Sequence, residues 1–83
     1  MPILHYYTRR GCHLCEQMLE ELLPLLRGRV ELEIRDVDTN QDWLRLYDSR
    51  VPVVEYDGRV ITAYPMDREA IFQLVMEIGA NGQ

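Results

Sequence analysis

The stretch that decides the fold is Arg9-Arg10-Gly11-Cys12-His13-Leu14-Cys15, in which two residues separate two cysteines. The segment before it, Ile3–Thr8, is short, apolar and aromatic, which predicts a buried β-strand. After it, apolar residues recur at the spacing of an amphipathic helix that begins near Cys12. They are Cys15, Leu19, Leu22 and Leu26, with Met18, Leu23 and Leu25 widening the same face. The cysteine pair is therefore expected at a strand-to-helix turn.

The end of this helix is indicated by Pro24 and Gly28. Proline in a late turn is expected to kink or shorten the helix, and glycine can close it. Residues 30–37 then alternate between apolar and charged side chains, with Val30, Leu32 and Ile34 on one face and Glu31, Glu33 and Arg35 on the other. This period of two predicts a strand with one face in water.

The second half of the chain adds a short helix, a hairpin and a last helix. Residues 39–42 offer N-cap candidates for a helix over 43–48. Two apolar segments, 51–56 and 59–64, flank Asp57-Gly58, the dipeptide most typical of a tight hairpin. Asp67 can cap a final helix that Gly79 would close, with an inner face formed by Ile71, Leu74, Val75 and Ile78. The order β-α-β-α-β-β-α predicts an α/β fold with a four-stranded mixed sheet and helices on both faces.

Length, composition and charge narrow the class of protein. The 83 residues, of which 47% are hydrophobic, suffice for one domain, residues 1–83. Fourteen acidic against nine basic residues give a net charge of −5, and a nucleic-acid-binding surface is normally basic. The longest apolar run, 22–26, is far shorter than a membrane span, and the first residues lack the pattern of a signal peptide. We therefore expect a cytoplasmic protein with neither nucleic-acid nor membrane partners.

Cys12 is the candidate nucleophile. Disulfide exchange requires a thiolate, and a free cysteine ionises only near pH 8.5. A helix start favours an anion, because its backbone N–H groups are unpaired and its dipole is positive there. Arg9 and Arg10 precede the cysteine and His13 follows it, so positive charge is available nearby. Gly11 allows a tight turn from strand into helix.

Cys15 is the candidate resolving cysteine. Three residues after Cys12, it lies about one helical turn further on and close enough to bond it. A disulfide between them closes too short a loop to stabilise the fold by constraining the unfolded chain. The sequence therefore favours a redox-active pair over a structural bridge.

Other interpretations of the cysteines are weaker. They could be two ordinary buried apolar residues, since free cysteine is often buried. A tetrahedral zinc site needs four ligands, and the further candidates, His5 and His13, are poorly placed. A phosphatase-type Cys-x5-Arg loop is excluded, because Met18 and Glu21 occupy the positions where arginine is required. No metal is expected.

The motif at the end of a first strand, together with Val51-Pro52 before a hairpin, resembles the glutaredoxin branch of the thioredoxin superfamily, and most closely its small bacterial glutaredoxin-like proteins. The resemblance extends over residues 3–78. It implies a thioredoxin fold, a cis proline at Pro52 that faces the dithiol, and a Val51 backbone that pairs with an extended substrate. It also implies a role for Arg9, since the family often has a basic residue three positions before the nucleophile.

Two departures from the family pattern concern specificity. His13 and Leu14 stand between the cysteines where many glutaredoxins have proline and tyrosine. At the last helix, Tyr64-Pro65-Met66-Asp67 replaces the glycine turn and acidic residue that hold glutathione, so only Asp67 matches. We therefore expect no bound cofactor and weak use of glutathione as reductant, with a protein disulfide or a reductase as partner.

The resemblance implies a thiol-disulfide oxidoreductase that acts on protein or low-molecular-weight disulfides, and we expect a monomer. Two other classes stay open. The protein could carry a metal or an iron–sulfur cluster on Cys12, although cluster ligation by four thiolates would need a dimer or an added thiol. It could also be a redox-inert adaptor of the same fold.

Overall fold

The central strand of the sheet is β1 (Ile3–Thr8), which the predicted strand matches residue for residue. In the computed structural model, which describes residues 2–81 and the side chains of residues 2–78, the strand order is β2-β1-β3-β4. The other strands are β2 (Glu31–Asp36), β3 (Val53–Tyr56) and β4 (Arg59–Thr62). β1 is parallel to β2 and antiparallel to β3, and β4 is antiparallel to β3. The predicted four-stranded mixed sheet is confirmed.

Three helices cover the two faces of this sheet, and they are α1 (His13–Leu26), α2 (Gln41–Tyr47) and α3 (Arg68–Asn81). β1 alternates between the faces, so Leu4 and Tyr6 belong to one core cluster and Tyr7 to another. The first cluster lies under α1 and α3 and also contains Met18, Leu22, Leu26, Val30, Val54, Ile71, Leu74, Val75 and Ile78. The second lies under α2 and also contains Val37, Tyr47 and Val53. Helices on both faces are thus confirmed.

The capping residue of α2 and the turn of the hairpin lie where the sequence predicts them. The Asn40 side chain accepts hydrogen bonds from the Asp42 and Trp43 amides, at 2.9 and 3.2 Å, which caps α2. The hairpin turns through Asp57 and Gly58, both with positive φ, at 53° and 82°. α2 nevertheless begins two residues before the predicted start, directly after the Asn40 cap, and a 3₁₀ turn, Val37–Thr39, precedes it.

The predicted end of α3 is wrong, and Pro24 does not shorten α1. α3 continues through Gly79 to Asn81, because Ile78 still packs into the core and one helical glycine costs only about 1 kcal/mol relative to alanine. Pro24, expected to shorten the last turn, lies inside α1, which extends to Leu26. Pro24 and Glu20 are both exposed, so water can bond the Glu20 carbonyl that the proline leaves without an amide donor. Gly28, with a φ of 73°, follows the helix as predicted.

Two apolar side chains assigned to inner faces are exposed. Ile34 is 55% exposed, because β2 is an edge strand and the core beneath α1 and α3 extends along it to Leu32 only. Leu23 is 49% exposed, because the buried stripe of α1 follows Cys15, Met18, Leu22 and Leu26 and does not widen to it. Within residues 2–81, no helix has both the length and the apolar composition needed to span a bilayer.

Candidate active site

The turn that carries Cys12 joins the end of β1 to the start of α1. The Cys12 amide donates a hydrogen bond to the Arg9 carbonyl, at 3.3 Å. Gly11 has a φ of +74°, in the left-handed region that side chains with a Cβ rarely adopt. A Cβ built on Gly11 would meet no atom within 4 Å, so the requirement for glycine comes from this torsion and not from a clash with neighbouring atoms.

Cys12 is the N-cap residue of α1. Its backbone is extended, and its Sγ accepts a hydrogen bond from the Cys15 amide at 3.1 Å. This amide is one of the N–H groups that have no partner within the helix. The two Sγ atoms lie at disulfide-bonding distance, with Cα atoms 5.2 Å apart. The helix start therefore brings together the two sulfur atoms and an amide donor.

The two cysteines differ in accessibility. Cys12 is half-buried, whereas Cys15 is 2% exposed. Cys15 lies on the inner face of α1 in line with Met18 and Leu22, which are buried against the sheet. Only the Cys12 sulfur is therefore well placed to meet another molecule.

Tyr6 contacts this site from the central strand, and the sequence analysis did not identify it. Its hydroxyl donates a 2.7 Å hydrogen bond to the Cys15 carbonyl, and its side chain is 1% exposed. Burial raises the pKa of the Tyr6 phenol well above its ordinary value, so the group stays a neutral donor. The alternation of β1 provided a signal, because Tyr6 shares its face with Leu4 and that face lies under α1.

Arg9 connects the Cys12 turn to two distant segments. Its Nε and Nη2 donate to the Asp38 carboxylate at 3.1 and 3.0 Å, and Nη2 also donates to Asp48 Oδ1 at 2.7 Å. Nη1 donates to the Asp48 carbonyl at 3.0 Å. The hydrogen bond from Arg9 lowers the pKa of the Asp38 carboxyl, and the bonds to Asp38 and Asp48 raise the pKa of Arg9. The positive charge of Arg9 is thus paired with two carboxylates.

The residues between the cysteines point to solvent. His13 is 93% exposed, and its Nδ1 lies 3.9 Å from Glu16 Oε1. Leu14 is 44% exposed. Arg10 is exposed as well. An effect of His13 or Arg9 on the pKa of Cys12 stays a prediction.

Val51 and Pro52 precede β3, and the bond between them is cis. Pro52 is buried, and the half-buried Val51 packs against the cluster beneath α2. A second cis bond, Tyr64–Pro65, lies in the segment before α3 and was not anticipated from the sequence. Substrate pairing at Val51 stays a prediction.

Asp67 caps α3, as the sequence predicts. Its Oδ1 accepts a hydrogen bond from the Ala70 amide at 3.1 Å, and its own amide donates to the Thr62 hydroxyl at 2.8 Å. A role in holding glutathione stays a prediction. Among the side chains that the structure describes, no three histidine, cysteine or acidic residues are grouped so that they could hold a metal ion.

Comparison with solved structures places this geometry among thioredoxin-type folds. A Northeast Structural Genomics target protein from X. campestris is 28% identical, with a TM-score of 0.69 over 89% of this chain and 96% of that one. A mutant thioredoxin from Halobacterium salinarum NRC-1 is also 28% identical, with a TM-score of 0.60 over 90% and 72%. A malarial protein shares the fold at 16% identity and a TM-score of 0.57.

Comparison with protein families is more specific. No curated protein matches the sequence significantly. The family model of the glutaredoxin-like domain (DUF836) matches residues 3–76, which include every strand, the cysteine motif and most of α3. This match agrees with the resemblance that the motif and the order of elements indicate. The chain belongs to the glutaredoxin-like domain family of the thioredoxin superfamily.

Proposed function

We propose that the protein is a dithiol thiol-disulfide oxidoreductase in which Cys12 attacks and Cys15 resolves. The fold and a cysteine pair at disulfide distance point to redox function. The observation that carries the finer proposal is the contrast at the helix start. The accessible Cys12 sulfur accepts the Cys15 amide hydrogen bond, while the Cys15 sulfur is buried behind it.

In the first step, the Cys12 thiolate attacks one sulfur of a partner disulfide. A bond forms between Cys12 Sγ and that sulfur, the partner S–S bond breaks, and the departing thiolate takes a proton from water. The Cys15 amide and the positive end of α1 stabilise the anionic form of Cys12, as charge-assisted hydrogen bonds do at helix N-termini. The product is a mixed disulfide on Cys12.

In the second step, Cys15 loses its proton to solvent and attacks Cys12 Sγ. The Cys12–Cys15 bond forms, and the second partner sulfur leaves as a thiolate that is then protonated. The partner has gained two electrons, and the protein dithiol has been oxidised to the disulfide. A Cα separation of 5.2 Å suits this bond without movement of the backbone.

The partner is proposed to be a protein with an accessible disulfide, and the reductant another protein dithiol. Pairing of the Val51 backbone with such a substrate is proposed from the match of Val51-Pro52 to the family pattern. Glutathione is proposed to be a poor reductant, because Tyr64-Pro65-Met66 takes the place of the glycine turn that holds it in related proteins.

The test is a titration of the Cys12–Cys15 pair against dithiothreitol buffers, followed by reduction of insulin with either a thioredoxin reductase system or glutathione as electron source. We expect a reversible two-electron couple between about −270 and about −120 mV, the range of this superfamily. Insulin should be reduced faster with the reductase system than with glutathione. A brown protein as purified would indicate a cluster carrier instead, and a cysteine pair without a reversible couple would indicate a redox-inert adaptor.

A further inference from the structure

One hydroxyl lies in an otherwise apolar core. The cluster beneath α1 and α3 consists of aliphatic and methionine side chains apart from Tyr6. A phenylalanine would fill the same space without the cost of desolvating a hydroxyl, which is substantial when the group is buried. Packing alone therefore does not explain why residue 6 is a tyrosine and not a phenylalanine.

That hydroxyl bonds to the backbone of the buried cysteine. It donates to the Cys15 carbonyl at 2.7 Å, while the Cys15 amide donates to Cys12 Sγ at 3.1 Å. The backbone of Cys15 is thus connected on one side to the partner sulfur and on the other to β1. Because β1 is paired on both edges, Tyr6 offers a fixed point to which the first turn of α1 is attached.

We propose, on the basis of the dithiol mechanism above, that Tyr6 is a positioning residue that holds Cys15 for the second step. Once the Cys12–Cys15 disulfide is reduced, no S–S bond holds the two side chains together. The first turn of the helix can then fray, as helix ends readily do. The hydrogen bond from Tyr6 keeps Cys15 at the depth and rotation from which its sulfur reaches Cys12. The loss of the hydroxyl slows closure of the disulfide.

Attack by Cys12 depends less on this contact, because Tyr6 reaches the Cys12 sulfur only through the Cys15 amide, whereas the positive end of α1 acts on that sulfur directly. Cys12 lies in its own turn, fixed by the bond of its amide to the Arg9 carbonyl and by the torsion of Gly11. It is also the more accessible of the two cysteines. Loss of the Tyr6 hydroxyl should therefore slow closure by Cys15 more than attack by Cys12. A general loss of protein stability would not separate the two steps in this way.

The experiment separates the two steps with one reagent. Fully reduced protein is mixed with one equivalent of 5,5′-dithiobis(2-nitrobenzoic acid), and release of the coloured thiolate is followed by stopped flow. Attack by Cys12 releases one thiolate and leaves a mixed disulfide, and attack by Cys15 on that disulfide releases the second. The wild type is compared with Tyr6→Phe, which keeps the ring, and with Tyr7→Phe.

Tyr7→Phe is the matched control. Tyr7 is the next residue of the same strand and is also buried, but it lies in the cluster under α2. Its hydroxyl accepts a 2.7 Å hydrogen bond from Arg35, whereas the hydroxyl that bonds the Cys15 carbonyl is that of Tyr6. The substitution thus removes one phenol hydroxyl from the opposite face of the sheet.

We expect the second phase of Tyr6→Phe to be about fivefold slower, as the loss of one net hydrogen bond allows, with the first phase changed less than about twofold. Both phases of Tyr7→Phe should match those of the wild type. The Cys12–Cys15 disulfide of Tyr6→Phe should also be easier to reduce in a dithiothreitol equilibrium, a readout that does not depend on the kinetics.

The proposal fails if Tyr6→Phe closes its disulfide at the wild-type rate, if both phases slow equally, or if Tyr7→Phe slows the second phase as much. Release of only one thiolate by the wild type has a different meaning. It would show that Cys15 does not resolve the mixed disulfide, and it would overturn the dithiol function together with the role of Tyr6.

Discussion

The turn that carries Cys12 and the helix face that carries Cys15 adjoin each other, yet different forces hold them. The turn is fixed by polar contacts, since the Arg9 side chain bonds Asp38 and Asp48 at the surface. The helix face is fixed by burial against the sheet, and a single hydrogen bond from Tyr6 reaches it. Two identical side chains three residues apart thereby occupy a half-buried and an almost fully buried position.

In the proposed mechanism, this difference gives the two cysteines of one motif separate chemical roles. A thiol reacts as its thiolate, and both its ionisation and its access to a partner depend on its surroundings. The polar turn keeps Cys12 accessible, and the apolar face keeps Cys15 away from other molecules. In the proposed mechanism, burial restricts Cys15 to attack on the mixed disulfide that forms on Cys12.

The largest expected effect comes from removing one cysteine at a time. Cys12→Ser should reduce insulin no faster than the uncatalysed reaction, because Cys15, the remaining cysteine, is 2% exposed. Cys15→Ser should still attack but should stop at the mixed disulfide, because no second thiol is present to release the partner. The measurements are insulin turnover and the mass of the trapped adduct.

The assignment of roles to Cys12 and Cys15 would be contradicted if the two variants showed each other's expected behaviour. An adduct on Cys15 in the Cys12→Ser protein, with none on Cys12 in the Cys15→Ser protein, would reverse the roles that burial assigns. Insulin reduction by the Cys12→Ser variant at the wild-type rate would show that the reaction does not need Cys12 as its nucleophile.

A smaller effect concerns the polar turn. The hydrogen bond from Arg9 lowers the pKa of Asp38 in the folded protein. A carboxyl with a lowered pKa contributes stability above its unfolded pKa, and this contribution is lost as the pH falls through the folded pKa. Between about pH 6 and about pH 3, the urea midpoint should therefore fall more for the wild type than for Asp38→Asn or Arg9→Lys.

This difference should be modest, because the Asp38 and Asp48 side chains are 51% and 64% exposed and solvent screens the pairs. Lysine at position 9 keeps the charge but lacks the fork that bonds both aspartates. Arg10→Lys is the control, since Arg10 is exposed in the same turn. If all four proteins showed the same pH dependence, the Arg9 contacts would contribute nothing to the turn.

Much of the fold could be predicted because its signals are local. The cysteine motif, the Asn40 cap and the Asp57-Gly58 hairpin each depend on a few neighbouring residues, and each is confirmed. The errors arise where tertiary packing overrides a local preference. Gly79 does not end α3 because the helix still packs through Ile78, and Ile34 is exposed because the order of strands leaves β2 at an edge.

The contacts around the cysteines depend on distant residues and could not be derived from the motif. Arg9 was predicted from its place in the motif, but its partners lie 29 and 39 residues further along the chain. The Tyr6 hydroxyl lies nine residues before the carbonyl that it bonds, and strand alternation predicts only its face. The sequence therefore predicts which groups react, and the fold shows which groups contact them.

We propose that the different surroundings of Cys12 and Cys15 determine which cysteine attacks and which one resolves. The most direct test is alkylation of the fully reduced protein by iodoacetamide near neutral pH, with each cysteine followed separately by peptide mass spectrometry. Cys12 should be alkylated much faster than Cys15, because it is accessible and lies at the helix N-terminus, whereas Cys15 is buried. Equal rates, or faster alkylation of Cys15, would contradict the claim.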